Sequence, residues 1–166
     1  MEKIEAEAAP RAKWFDKAGS LKADRAIRRT RDPLRSELIP VRRAFADYRR
    51  TRDRDGVYLY LDAVFGLVEK WTRLGCARKR ARRALRLQNT KHSGGLDPFS
   101  AVIMCTAQTA KGDRRTVSKW SRALRYAAQF KKEAISLRDF VKCGGGINAC
   151  AASWSRRALS TNQGRG

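Results

Sequence analysis

A chain of 166 residues has room for one domain, and at this length roughly two-thirds of the unfolded surface can be buried without a disulfide or metal staple. Its hydrophobic share, 42%, is that of an ordinary globular protein, but 38 Lys and Arg stand against 16 Asp and Glu, a net charge of +22. No apolar run approaches the roughly 18 residues of a membrane span and no signal peptide is legible, so a membrane-spanning segment is excluded, no membrane partner is expected and a cytoplasmic location is.

The charge asks for a partner. Two unit charges 10 Å apart repel by only about 0.4 kcal/mol in bulk water, yet many such pairs together oppose compaction. A polyanion removes that cost, so nucleic acid is the economical explanation of the imbalance.

Residues 1–34 have weak apolar periodicity and read as a basic, partly disordered arm with one short helix around 20–31. Its Arg25, Arg28, Arg29 and Arg31 suit a phosphate backbone, or simply a solvated tail. Pro40 marks the start of the next element, where Val41, Phe45 and Tyr48 predict a helix over 41–51. The "RDRDG" stretch (52–56) is a turn, with Asp53 or Asp55 near the following helix start. A continuous stripe of Val57, Leu61, Val64, Val68, Trp71, Leu74, Ala77, Ala81 and Leu85 then predicts one long helix to about residue 88, with Gly75 as a soft spot. Its first half is apolar on nearly every side and should sit centrally. From Lys70 to Lys91 there are nine positive side chains and no acid.

After the loop "QNTKHSGGL" (88–96), Asp97 followed by Pro98 predicts a capped helix start, with Phe99, Val102, Ile103 and Thr106 inward and an end near Lys111–Gly112. Asp113 is placed to cap the next helix, about 114–130. Ser136 and Asp139 form a capping box, with Ile135 and Phe140 as a hydrophobic staple. "CGGG" (143–146) stops that short helix, and a last one is expected over 147–159, where Arg156 and Arg157 could extend a basic surface and Trp154 fits the core. Strand signals are nearly absent. The fold expected is all-α, five or six helices in a small bundle, with a nucleic-acid-binding domain over 35–159 and a flexible tail at 160–166.

Two basic segments carry the functional reading. The first is the 98–130 pair. A helix, the turn "AKGD" (110–113) and a second helix burying Val117, Trp120, Leu124 and Ala127 make a helix-turn-helix-like unit. "TVSKWSRAL" resembles the recognition-helix pattern of many bacterial repressors, although the turn glycine lies five residues before the valine rather than six. The resemblance implies base reading by Arg114, Arg115, Thr116, Ser118, Lys119 and Arg122. The competing reading is a structural hairpin with a solvated basic face. The second segment is the stripe of Arg78, Arg82 and Arg86 with Lys79 and Arg83 beside it. Like charges so spaced destabilise an isolated helix by a few tenths of a kcal/mol per pair. Phosphates would neutralise them, so these residues, with Arg73 and Arg125, are the predicted phosphate contacts. A membrane-surface helix would want a bulkier apolar face than this Ala-rich one.

The function expected is a DNA-binding regulator of transcription or of a replicon, with double-stranded DNA favoured over RNA. The alternative is an RNA-binding or ribonucleoprotein-assembly factor, and a third class is an adaptor for an acidic protein. Homodimerisation would suit palindromic half-sites, but no heptad seam requires it. Catalysis finds little support: one histidine and scattered acids make no acid–base constellation. The glycines of "CGGGIN" lack the Lys-Ser/Thr of a nucleotide loop. The spacings of Cys76, Cys105, Cys143 and Cys150 suit neither zinc nor an obvious disulfide pair, so no metal and no cofactor is expected.

Overall fold

The computed structural model describes residues 33–51, 53, 55–89, 95–107 and 113–163. Among them there are seven helices and no strand. The described residues are therefore all-helical, with more helices than the five or six expected, and the extra break falls at Gly75. The short helix expected around 20–31 lies outside the described residues.

Helix α1 spans Pro33–Thr51 and runs straight through Pro40. It begins eight residues earlier than the periodicity after Pro40 predicts and takes in the end of the expected arm. Pro33 occupies the first turn, where its missing N–H costs nothing. An interior proline costs about 3 kcal/mol. Pro40 faces solvent, and Leu34, Leu38 and Val41 are buried on the opposite face at i, i+4, i+7. Each such burial contributes about 1.5–3 kcal/mol, so together they outweigh the proline.

Helix α2 (Gly56–Arg73) is the central element. Tyr60, Leu61, Val64, Val68 and Trp71 are buried, and it touches α1 and four of the later helices. It does not continue to residue 88. Gly75 adopts φ +65°, its N–H donates to the Thr72 carbonyl (2.9 Å), and the Cys76 N–H donates to the Trp71 carbonyl (2.9 Å). These are the two hydrogen bonds of a Schellman stop. Leu74, expected inside, is left 60% exposed at the break. Helix α3 (Ala77–Leu87) starts afresh and buries Ala81, Ala84 and Leu85.

Helix α4 (Pro98–Thr106) begins as predicted, with the Asp97 carboxylate accepting from the Phe99 and Ser100 N–H groups at 3.0 and 3.2 Å. Phe99, Val102, Ile103 and Thr106 are all buried. It ends at Thr106, short of the Lys111–Gly112 expected, and the "AKGD" turn falls outside the described residues except for Asp113. The turn of the helix-turn-helix reading therefore has no geometry here. Helix α5 (Arg114–Phe130) buries Val117, Trp120, Leu124 and Ala127 as predicted, with Ser121 and Ala123 as well. Asp113 does not cap it through its side chain.

Helix α6 (Leu137–Cys143) is capped by Ser136, whose Oγ accepts from the Asp139 N–H at 3.0 Å. Ile135 stays exposed while Phe140 packs against Tyr126, so the staple is not the main contact there. Helix α7 (Gly146–Gln163) extends into the segment expected to be tail. The three glycines at its start, Gly144 to Gly146, have two separate causes. Gly145 and Gly146 have φ of +84° and +91°. A Cβ on Gly144 would lie 2.9 Å from the Cys150 sulfur, so glycine there lets α7 fold back onto α6.

Two polar ties organise the bundle. Ser121 of α5, buried in the core, donates to both Asp97 oxygens at 3.0 and 3.1 Å, so one carboxylate caps α4 and holds α5 against it. Thr106 Oγ1 donates to the Val102 carbonyl (2.7 Å), which leaves Tyr60 as the donor in the 2.8 Å Tyr60–Thr106 bond between α2 and α4. Rings of Phe45, Tyr60 and Trp120 join α1, α2 and α5 at centroid separations of 5.0 and 5.7 Å.

Candidate nucleic-acid interface

The basic run from Lys70 to Arg86 is divided by the Gly75 break, and the break decides which way its charges point. On α3, Arg78, Lys79, Arg82, Arg83 and Arg86 are all exposed. Arg78, Lys79, Arg82 and Arg86 make no ion pair or hydrogen bond among the described residues. Arg73, in the last turn of α2, is exposed too. Arg80 is the exception on α3, because it turns inward onto Glu37.

Glu37 is the residue that sequence reasoning missed. It lies in α1, before the proline taken as a boundary, where no periodicity drew attention to it. Its carboxylate, 17% exposed, accepts from Lys70 Nζ (2.9 Å), from Trp71 Nε1 (2.9 Å) and from the Arg80 guanidinium. Burial alone would raise its pKa, but the hydrogen bonds from Lys70, Trp71 and Arg80 outweigh it and hold the carboxyl below the usual range. This one acid clips α1 to the end of α2 and to the first turn of α3. With Arg80 held inward and Ala81, Ala84 and Leu85 buried, the other five cations of α3 can only face outward.

Helix α5 presents a different picture. Arg114, Arg115 and Ser118 are exposed, and Thr116 and Lys119 half-buried. Further along, α7 packs against the helix. Arg122 Nη1 donates to Ser155 Oγ at 2.8 Å, and its Nε to the Ser118 carbonyl at 3.2 Å. The Arg125 guanidinium stacks on Trp154, 4.5 Å from the ring centroid, and Arg157 of α7 stacks on Phe130 at 4.4 Å. Trp154 is half-buried and serves as a platform for an arginine rather than as core. The base-reading set is therefore split. Arg114, Arg115, Thr116, Ser118 and Lys119 occupy the open first two turns, whereas Arg122 and the phosphate candidate Arg125 are occupied by α7. Helices α3 and α5 do not touch; each packs on α2 and α4.

No protein-family model, curated protein or solved structure matches the chain. The reading of the surface rests on its own chemistry.

Asp55, half of the nearest thing to a paired carboxylate, is bound to Arg138 and, at 3.2 Å, to Lys142. Asp53 accepts from the Asp55 N–H at 3.1 Å, a turn contact. No three His, Cys, Asp or Glu side chains converge as metal ligands among the described residues. The four cysteines are unbridged. Burial pushes the Cys105 thiol up to about 12 and raises Cys150 as well, so neither is a thiolate at neutral pH.

Proposed function

We propose that the protein binds double-stranded DNA as a regulator of transcription or of a replicon, anchoring on phosphates through α3. The observation that carries this is the exposed face of α3, five cations on an eleven-residue helix with no acid among them. A second contribution comes from the first two turns of α5, where Arg114, Arg115, Thr116, Ser118 and Lys119 have the donors that base edges and phosphates accept. Arg122 is left out of the base-reading set and Arg125 out of the phosphate contacts, because α7 engages both.

The balance between DNA and RNA follows from the aromatics. Single-stranded and loop RNA is gripped by rings stacked on open bases. Among the described residues no Phe, Tyr or Trp is exposed. Charges without stacking platforms favour a duplex.

The test is fluorescence anisotropy with a labelled DNA duplex, the matching single strand and the matching RNA duplex, at two salt concentrations. Each phosphate contact contributes roughly −0.9 to the slope of log affinity against log salt. Changing Arg78, Arg82 and Arg86 together to Ala should weaken binding to all duplexes alike and reduce the magnitude of the slope by about 2.7 if each contacts a phosphate. An R115A or K119A variant should instead narrow the gap between a preferred and a random duplex. Duplex binding unchanged by the α3 variant would remove α3 from the interface.

A further inference from the structure

The shape of the α3 face says more than its charge. At 3.6 residues per turn, Arg78 and Arg83 mark the two edges of the exposed surface, with Arg82, Arg86 and Lys79 fanned between them. The five together open an arc of roughly 140° around the helix. Along the axis, residues 78 to 86 span about 12 Å. The buried residues Ala81, Ala84 and Leu85 lie on the opposite side, and Arg80, tied to Glu37, marks the boundary.

A helix resting on one strand of phosphates uses a narrow stripe. A wide arc with cations on both edges matches a helix flanked by two strands. The major groove of B-form DNA is about 12 Å wide and 8.5 Å deep, and an α-helix with its side chains is about 10–12 Å across. The A-form RNA major groove is too narrow for such an element. We infer that α3, rather than the repressor-like α5, is the helix that lies along the DNA major groove, with Arg78 and Arg82 toward one phosphate strand, Lys79 and Arg83 toward the other and Arg86 between them, leaving only the first two turns of α5 to reach base edges. The inference rests on the DNA-binding reading. It also accounts for the covered flank of α5: with Arg122 and Arg125 engaged by α7, that helix cannot lie along a groove for its full length.

In this arrangement α3 has no Asn, Gln, Ser or Thr on its outward face, so its grip is on phosphates, with guanine edges the base feature its arginines and Lys79 can bond. The Glu37 clip supplies the rigidity, since α3 is only eleven residues long and would be marginal alone.

The experiment compares three duplexes of one sequence with the full-length protein: plain DNA, DNA whose cytosines carry glucosylated 5-hydroxymethyl groups that fill the major groove, and RNA. A fourth arm adds a minor-groove-binding drug to plain DNA. Circular dichroism first establishes that each variant keeps wild-type helicity. Groove entry by α3 is expected to show as a tenfold or greater loss on glucosylated DNA, weaker binding to RNA and little effect of the drug. The glucosylation penalty should shrink in R78A/R82A/R86A and in K79A/R83A, and persist in R114A/R115A. A penalty that persists in the α3 variants and vanishes in R114A/R115A would return the groove to α5 and overturn the inference. Equal binding to all three duplexes, with salt slopes still flattened by the α3 variants, would leave DNA binding in place and overturn groove entry alone. Absence of binding to every duplex would overturn both.

Discussion

Glu37 does more for this molecule than its place in a basic protein suggests. It accepts three charged or indole donors from two other helices, and Gln in its place keeps the shape while removing the charge. An E37Q variant is expected to lose about 1.5–3 kcal/mol, the range for hydrogen bonds to charged groups, read as a lower urea midpoint. The pH dependence has a definite sign. The folded pKa lies below the ordinary value of 4.5, so the contribution is fully present above that value and disappears as pH falls through the depressed one. Stability should therefore decline over the acid range in the wild type and decline less in E37Q. Gly144 is the second informative residue. Its missing Cβ is replaced by the Cys150 sulfur, so G144A should cost about 1–3 kcal/mol through overpacking. Pairing it with C150A should recover part of the loss in a thermal melt. Full recovery is not expected, because the Phe140 carbonyl lies 3.3 Å from the same position.

At the scale of elements, the break between α2 and α3 separates a central core helix from a surface one. The left-handed conformation of Gly75 is cheap for glycine and costs a residue with a Cβ roughly 1–2 kcal/mol. G75A is expected to lower the urea midpoint by about that amount. Because nothing lies within 4 Å of the position, the loss would report backbone strain rather than a clash. Helix α7 shows the opposite economy. It is joined to α5 by a hydrogen bond to Ser155 and by two arginine–ring contacts, while its buried Cys150 lies against Val141 and Gly144. Cations that the composition alone would leave to solvent are thus engaged between neighbouring helices.

For the whole molecule, a net charge of +22 means that self-repulsion opposes folding while a polyanion relieves it. On α3 the repulsion is concentrated: 78–82, 82–86 and 79–83 are like-charged pairs at i, i+4. Replacing Arg78, Arg82 and Arg86 by Ala removes two of those pairs and installs the best helix former. The triple variant should therefore melt at the wild-type temperature or higher while binding duplex DNA more weakly. A scanning calorimetry trace with a clearly lower melting temperature would show that these arginines hold the fold. Opposite changes in stability and binding are what a surface arranged for a partner, rather than for itself, should give.

Much was legible in the chain by itself. Periodicity of 3.6 and the lack of alternating runs determined an all-helical fold, and Asp97–Pro98 and Ser136 marked helix starts because capping is a local hydrogen bond between neighbours. The buried stripe of α5 was readable for the same reason. What tertiary structure decided are the matters in which distant residues compete with local preference. Helix α1 passes through Pro40 because three buried side chains outweigh one missing hydrogen bond. The long helix divides at Gly75 because α3 must turn to pack on α4. Arg80, Arg122 and Arg125 leave the solvent-facing set because Glu37, Ser155 and Trp154 lie 43, 33 and 29 residues away in sequence and beside them in space. Charge can be counted along a chain, but which charges remain outside depends on long-range contacts that no local spacing encodes.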